Sequence, residues 1–127
     1  TDQMGIIYHS NYFIWFEVAR SDFFKHIGYS YSRLEKDDII MPVTEVKCEY
    51  VKPAKYDQDV RVETQIHLFK GVRFGLKYKI YDNETNQLLA HGHTLHGFVN
   101  KAMKPINIKK KNRLVYDIIV EAMEGAE

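Results

Sequence analysis

A helical segment that is apolar on almost every side constrains most strongly how this chain can fold. Its apolar residues recur at spacings of three and four, which is the period of an α-helix. They are Tyr12, Phe16, Ala19, Phe23 and Ile27, with Phe13, Ile14, Trp15 and Phe24 outside that stripe. Ser10 or Asn11 predicts the start of this helix and Gly28 its end. A helix that is apolar over most of its circumference must be surrounded by other structure.

The rest of the chain predicts long strands and one further helix. Residues 60–68 and 72–80 alternate between apolar and polar side chains, and Lys70-Gly71 between them predicts a hairpin turn. Residues 39–51 and 88–99 predict two more strands, and residues 82–86 carry turn-forming side chains. The spacing of apolar residues predicts a helix over residues 111–123. Four antiparallel strands with one apolar side need a cover, and only the apolar helix is large enough. The sequence therefore predicts an α+β domain in which a long curved antiparallel sheet wraps around one central helix.

Composition narrows the class of protein. The chain has 127 residues, which predicts a single domain over residues 1–127. Hydrophobic residues make up 45% and charged residues 28%, which excludes intrinsic disorder, and no apolar run approaches the length of a membrane span. The single cysteine, Cys48, cannot form an internal disulfide, so we expect a reducing, cytoplasmic location. Because the sequence opens with the polar residues Thr1-Asp2-Gln3, we expect no signal peptide.

The basic residues are concentrated in two windows that contain no acid, although the formal net charge is only +1. The first lies between residues 64 and 81 and the second between residues 99 and 113. Their basic residues are Lys70, Arg73, Lys77 and Lys79, then Lys101, Lys104, Lys109, Lys110, Lys111 and Arg113. Such windows can concentrate an anionic ligand, or they can simply solvate the protein surface. The acidic remainder makes a nucleic-acid partner unexpected.

An acidic residue lies close to the predicted start of the central helix. A helix N-terminus presents unpaired N–H donors that can polarise a carbonyl and stabilise an oxyanion. Gly5 permits a turn that brings Asp2 back toward those donors, and a carboxylate there suits ester hydrolysis as nucleophile or general base. From these residues alone, an acid in a loop near a chain end is the simpler interpretation.

The N-terminal segment carries a longer resemblance. The string Thr1-Asp2-x-Met4-Gly5-Ile6-Ile7-Tyr8-His9-x-Asn11-Tyr12-x-x-Trp15-Phe16-Glu17-x-Ala19-Arg20 resembles the signature of hotdog-fold acyl-CoA thioesterases of the 4-hydroxybenzoyl-CoA thioesterase-like family. Pro53, the strand around Leu89-Ala90-x-Gly92 and the segment Lys104-Pro105-Ile106 extend the likeness over nearly the whole chain. The family has a strand before the Thr-Asp pair, so we expect one upstream of Thr1.

The resemblance implies specific roles for residues. Asp2 would be the catalytic carboxylate, the backbone N–H of His9 would polarise the thioester carbonyl, and the side chains of Tyr8 and His9 would line the reacting end. Lys70, Arg73 and Lys101 would bind the coenzyme A phosphates. The family places its sites at dimer interfaces, so a homodimer or homotetramer is expected. The substrate would be an acyl-CoA, with no cofactor and no nucleic-acid or membrane partner.

Alternatives remain open for the carboxylate and for the activity. A related branch uses a glutamate within the central helix, which makes Glu17 the rival of Asp2, although an ion pair between Glu17 and Arg20 is the simpler interpretation. The main alternative activities are hydrolysis of acyl groups from acyl carrier protein and binding of acyl-CoA without catalysis. Hydratase and dehydratase members of the fold are less favoured.

The histidines and the cysteine predict no further site. His91-x-His93-x-x-His96 has the look of a metal cluster, but a strand directs His91 and His93 to one face and His96 to the other. We therefore expect no metal site. Cys48 has no neighbouring histidine in sequence and is expected to be a small buried residue. The sequence contains neither the GxSxG motif of serine hydrolases nor a phosphate-binding glycine loop.

Overall fold

The computed structural model describes residues 9–52 and 59–125, with side chains from residue 15 onward, and contains four strands and four helices within those ranges. Helices α1 and α2 come first, followed by strands β1–β4 and helices α3 and α4. In chain order they span His9–His26, Tyr31–Lys36, Val43–Tyr50, Val60–Lys70, Arg73–Asp82, Leu88–Gly97, Ile108–Lys111 and Arg113–Gly125. Within the described ranges, no helix is long and apolar enough to cross a membrane.

The four strands form one antiparallel sheet in the order β1-β4-β3-β2. Strand β3 supplies the centre of the core on what we call the inner face of the sheet. Its inner-face side chains are at most 1% exposed, and they are Phe74, Leu76, Tyr78 and Ile80. The alternation over residues 74–80 therefore correctly predicted which residues of this strand are buried, because successive side chains of a strand point to opposite faces.

Helix α1 packs on the inner face and runs antiparallel to β3. The ring of Phe16 stacks on that of Tyr78 at 4.4 Å, and the ring of Phe24 lies 5.4 Å from that of Phe74. The eight residues from Phe16 to Phe24 rise about 12 Å along the helix, and the four from Phe74 to Tyr78 rise about 13 Å along the strand, so both contacts can form at once. The prediction of one helix covering the apolar side of an antiparallel sheet is confirmed.

Four details differ from the sequence-based expectation. The predicted strand over residues 39–51 is shorter, and Ile40 instead forms an isolated bridge to Val99. The predicted C-terminal helix is divided at Asn112, whose extended backbone ends α3 and whose side chain accepts a hydrogen bond from the Val115 N–H at the start of α4. Helix α2 was not predicted, and Ser30 caps its first turn. Val72 lies outside β3 and is 47% exposed rather than buried.

A fifth difference is a β-bulge in β2. The pairing of β2 with β3 shifts between Ile66 and Leu68, so that one extra residue enters β2. A bulge changes the face to which the following side chains point. Phe69, rather than Leu68, consequently packs on the core, where its ring lies 6.1 Å from that of Phe74. Strict alternation had placed Leu68 on the apolar side, and that expectation is wrong.

Candidate functional site

The start of α1 is the first part of the candidate site. The helix begins at His9, and its first turn contains no acidic residue. The first N–H groups of a helix and the positive end of its dipole can stabilise an oxyanion. Asp2 and Tyr8 lie outside the described residues, as does the side chain of His9. The predicted helix start next to the thioesterase-like motif is thus present, whereas the placement of the carboxylate stays a prediction.

Glu17 and Arg20 do not form the expected ion pair. Glu17 is exposed to solvent, whereas Arg20 is 9% exposed and points toward the core. Among the described residues, no carboxylate lies within 4 Å of the Arg20 guanidinium. Arg20 lies four residues from both Phe16 and Phe24, so it belongs to the buried stripe of the helix. That spacing is the signal by which the sequence could have shown its burial.

The two acid-free windows meet at one end of the sheet. Lys70 and Arg73 face each other across the β2–β3 hairpin, and Arg73 also pairs with Gly97 at the end of β4. The Ile108 N–H donates to the Gly71 carbonyl at 2.7 Å, which fixes the start of α3 against the hairpin. The predicted basic residues from both windows are therefore brought to the same region of the molecule.

Lys101 lies in the same region but beside an acid. Its backbone N–H donates to the Asp38 carboxylate at 2.8 Å, and Nζ of Lys111 lies 3.3 Å from that carboxylate. The hydrogen bond from the Lys101 N–H, together with Lys111, lowers the pKa of Asp38 from its ordinary value. Asp38 is therefore ionised at neutral pH and offsets part of the positive charge around Lys101. Lys70 and Arg73 are the stronger candidates for an anion.

The helix start and the basic hairpin lie at opposite ends of a single chain. Phe24 packs beside Phe74, next to Arg73, whereas His9 is fifteen residues earlier in α1, which corresponds to about 22 Å along the helix. Within one chain, the predicted oxyanion site therefore lies roughly 20 Å from the predicted phosphate-binding residues.

A groove runs along α1 toward its start. It has a volume of about 410 Å³ and lies between α1 and β2, which is an edge strand of the described sheet. Most of its wall is apolar, and Val18 on its helix side is 54% exposed. The lining residues are Trp15, Val18, Ala19, Asp22, Phe23, His26, Val62 and Thr64. An unpaired strand edge beside an exposed apolar helix face is typical of a surface that another chain covers.

The three histidines of β4 point where the alternation predicted. Nε2 of His93 lies 2.6 Å from a Glu45 carboxylate oxygen and that of His91 lies 3.4 Å from Glu49, both on the outer face, whereas His96 is buried. The part of the chain that the structure describes contains no group of three or more histidine, cysteine, aspartate or glutamate side chains suited to a metal ion. Cys48 is half-buried, and burial raises the pKa of its thiol, which is the opposite of an activated nucleophile.

A hydrogen-bonded chain of side chains lies beneath α1. The Tyr78 hydroxyl and Nε2 of His96 each lie 2.8 Å from Oγ1 of Thr94. Burial, and then the positive charge of Arg20, lower the pKa of His96 to about 4. His96 is therefore neutral at physiological pH and takes no part in titration there.

Stability in acid should depend on this histidine. In the unfolded chain His96 takes up a proton near its ordinary pKa of 6.5, whereas the folded protein resists protonation until about pH 4. The difference should lower the free energy of unfolding by about 3 kcal/mol between pH 6.5 and pH 4, with no effect above that range. Urea unfolding at a series of pH values measures this slope. His96→Gln should reduce the slope, and identical slopes in the two proteins would contradict the assignment.

The chain matches known proteins over most of its length. A family model described as thioesterase-like superfamily matches residues 1–113. YneP of Bacillus subtilis is 38% identical over 111 residues, which cover 87% of this chain and 80% of YneP. The acyl-CoA thioester hydrolase YbgC of Escherichia coli is 29% identical over 88 residues, 69% of this chain and 66% of that protein.

Solved structures agree with the sequence matches. The DHNA-CoA thioesterase from Staphylococcus aureus superposes with a TM-score of 0.88 at 35% identity, over 99% of this chain and 86% of that chain. The match confirms the α+β hotdog fold that the sequence predicted, with its antiparallel sheet and central helix. By the family model and by these relatives, the chain belongs to the thioesterase-like superfamily of hotdog-fold enzymes.

Proposed function

We propose that this protein hydrolyses the thioester of an acyl-coenzyme A to a free acid and coenzyme A. The observation that carries this proposal is the thioesterase-like motif leading into the start of α1 at His9, where the helix N-terminus is free of acidic residues. The relatives in Escherichia coli and Staphylococcus aureus, which act on acyl-CoA thioesters by their names, support the substrate class.

The proposed chemistry uses Asp2 and the helix start. The backbone N–H of His9 would donate to the thioester carbonyl oxygen and stabilise the negative charge that develops there. The Asp2 carboxylate would then attack the acyl carbon to form an anhydride that water hydrolyses, or it would take a proton from an attacking water. In both routes the C–S bond breaks, and coenzyme A leaves as a thiolate that takes up a proton. Tyr8 and His9 would line the reacting end.

A second copy of the chain would complete the site. No other described strand pairs with the outer edge of β2, and α1 begins beside the first residues of β2, since Trp15 lies with Val62 and Thr64 along one groove. If two β2 edges pair antiparallel around a two-fold axis, the first residues of one β2 lie opposite the last residues of the other. That pairing would bring the partner subunit's Lys70 and the partner subunit's Arg73 toward the start of α1. It would close the groove and join the two halves of the site.

Val18→Asp is expected to break this dimer. The substitution places a charge on the apolar, 54% exposed face of α1 that the partner would cover. We expect a monomer at micromolar concentration by light scattering, with turnover reduced at least about tenfold, because desolvating an unpaired charge costs several kcal/mol. Val46→Asp is the matched control, since Val46 is 43% exposed on β1, at the opposite edge of the described sheet. Equal effects of the two substitutions would contradict this interface.

Mixed dimers test whether the two chains share a site. One variant carries Asp2→Asn, and the other carries Lys70→Ala with Arg73→Ala. If the carboxylate and the basic hairpin come from different chains, a mixed dimer contains one site with neither change, and the mixture should regain turnover with the wild-type KM. If both parts came from one chain, every site in the mixture would carry a change, and no wild-type KM would appear.

Free-thiol release from a panel of acyl-CoAs tests the activity itself. The panel includes short, medium, long and aromatic acyl groups, and we expect turnover with at least one class. Release from acyl carrier protein but from no acyl-CoA would favour the alternative substrate, for which the basic hairpin would contact an acidic protein surface. Binding without release would favour an acyl-CoA sensor and overturn the proposed hydrolysis.

A further inference from the structure

A short turn beyond the end of β4 presents an exposed apolar side chain. Residues 100–104 form this turn, which we call the Met103 turn, and a bridge between Val99 and Pro105 closes its base. Met103 is 61% exposed, the highest value among the large apolar side chains that the structure describes. Its backbone φ is 62°, in the left-handed region that residues other than glycine, asparagine and aspartate seldom adopt.

Hydrogen bonds fix the Met103 turn in this conformation. The Met103 N–H donates to the Asn100 carbonyl at 2.8 Å, and the Asn100 N–H donates to the Lys104 carbonyl at 3.0 Å. The side-chain oxygen of Asn100 also accepts from two N–H groups within the turn, each at 3.0 Å. Asp38, just after α2, accepts from the Lys101 N–H at 2.8 Å. An apolar side chain held outward in an unfavourable backbone conformation is typical of a residue with a function.

Positive charge surrounds the Met103 turn. Lys101 and Lys104 flank Met103 and are exposed. The turn continues the chain beyond Gly97, which pairs with Arg73, so it lies at the same end of the sheet as the β2–β3 hairpin. The start of α3 is hydrogen-bonded to that hairpin. Six basic side chains of the two windows have no carboxylate within 4 Å among the described residues of this end: Lys70, Arg73, Lys101, Lys104, Lys109 and Lys110.

A second exposed apolar side chain lies at this end, on the hairpin. Val72 is 47% exposed and stands between Lys70 and Arg73 in the chain, as Met103 stands between two lysines. A protein partner usually covers one continuous patch of several hundred square ångströms. Single apolar side chains on separate loops, each flanked by bases, suit the interface of an anionic bilayer, where apolar groups enter the acyl boundary and bases stay with the headgroups.

We propose that the Met103 turn docks this protein reversibly on the surface of an anionic phospholipid bilayer. Met103 would enter the boundary between headgroups and acyl chains, and Lys101 and Lys104 would contact lipid phosphates. The hairpin would approach the same surface. This association goes beyond the proposed hydrolysis, and it departs from the expectation of no membrane partner that came from the family resemblance. It does not involve the helix start at His9, so it can be tested without substrate.

Vesicle co-sedimentation measures the association. The protein should bind phosphatidylcholine vesicles that contain about 30% phosphatidylglycerol, and it should bind pure phosphatidylcholine vesicles at least about tenfold more weakly. Binding to the anionic vesicles should weaken by a similar factor between about 0.05 M and 0.3 M salt, because salt screens the headgroup charge. Lys101→Gln with Lys104→Gln should weaken binding about twentyfold at the lower salt concentration, since each base near the surface contributes.

Met103→Asn separates membrane binding from stability. Asparagine adopts the left-handed region more readily than methionine, so the Tm should rise by about 3 °C. Vesicle binding should nevertheless fall about tenfold, because the amide does not enter an apolar layer. Met123→Asn is the matched control, since Met123 is 37% exposed on α4, about 15 Å along that helix from Arg113. This control should keep wild-type vesicle binding and should not raise the Tm.

Several outcomes would overturn the site. One is equal binding to neutral and anionic vesicles, or binding to neither. A second is full vesicle binding by Met103→Asn, which would mean attraction by charge alone. A third is an equal loss of binding in Met103→Asn and Met123→Asn. If vesicles do not bind but Met103→Asn loses affinity for acyl carrier protein, the turn belongs to an acidic protein partner and the bilayer assignment is wrong.

Discussion

Asp2→Asn is expected to lower kcat for acyl-CoA hydrolysis by about a thousandfold or more, the scale on which the loss of a nucleophile or its base acts. The amide is nearly isosteric with the carboxylate but neither attacks the acyl carbon nor takes a proton from water. Binding of acyl-CoA should persist, since the helix start at His9 and the basic hairpin are unchanged. Thiol-release kinetics with the best substrate of the panel, together with equilibrium binding, measure the two effects separately.

Glu17→Gln is the matched control for that experiment. Glu17 is exposed on α1, about 12 Å along the helix from His9, and in this proposal it does no chemistry. The variant should keep kcat within about threefold of wild type, as is usual for an exposed helical residue. Turnover that survives in Asp2→Asn and disappears in Glu17→Gln would transfer the catalytic role to the helix glutamate and reject the present assignment.

Gly92→Ala should lower the free energy of unfolding by about 3 kcal/mol, near the upper end of the usual cost of overpacking. Gly92 of β4 pairs with Cys48 of β1, and a Cβ atom there would overlap the Lys47 carbonyl oxygen and lie 3.0 Å from a ring carbon of Phe16. Strand β1 and helix α1 would both have to shift away from β4. With an m-value of about 2 kcal/mol/M, the urea midpoint should fall by about 1.5 M.

Gly97→Ala in the same strand provides the comparison. A Cβ atom at Gly97 meets no other atom within 4 Å. The substitution should leave the urea midpoint unchanged or raise it slightly, because alanine restricts the unfolded chain more than glycine does. If both alanine variants lose the same stability, the close approach of Phe16 to β4 does not explain the need for glycine at position 92.

Gly92 belongs both to the sequence resemblance and to the packing of the core. The segment around Leu89-Ala90-x-Gly92 is one of the features that resemble the thioesterase family. In the fold, the small residue leaves room for Phe16, which stacks on Tyr78 beneath α1. The central helix can therefore approach the sheet closely, and that approach sets where its first turn lies.

The periodicity of apolar residues was sufficient to predict the elements in which many residues follow one pattern, such as α1 and β3. The spacing of Phe16, Ala19 and Phe23 and the alternation from Phe74 to Ile80 extend over several repeats, so each repeat supports the next. Lys70-Gly71 marked the hairpin correctly, because a short turn needs such residues. Periodicity predicts structure and not activity. The enzyme class came from the resemblance of the N-terminal motif, which the family match confirms.

Only the tertiary structure decided the remaining features. Helix α2 has six residues, too few for a helical period to be recognised, and its cap at Ser30 is a local contact. The bulge that turns Phe69 inward depends on how β2 pairs with β3, which no single strand encodes. The burial of Arg20 runs against its charge, and its guanidinium lies over the Tyr31 ring of α2, a contact between two helices that the sequence does not show.

The candidate site shows the same difference between what the sequence predicts and what the tertiary structure decides. The sequence identified the helix start and two acid-free basic windows, because charge and capping are properties of neighbouring residues. Folding brought the two windows together through the hydrogen bond from Ile108 to Gly71, and it separated them from His9 by roughly 20 Å. Distances between residues far apart in sequence depend on packing, and packing is fixed only when the whole chain has buried its apolar surface.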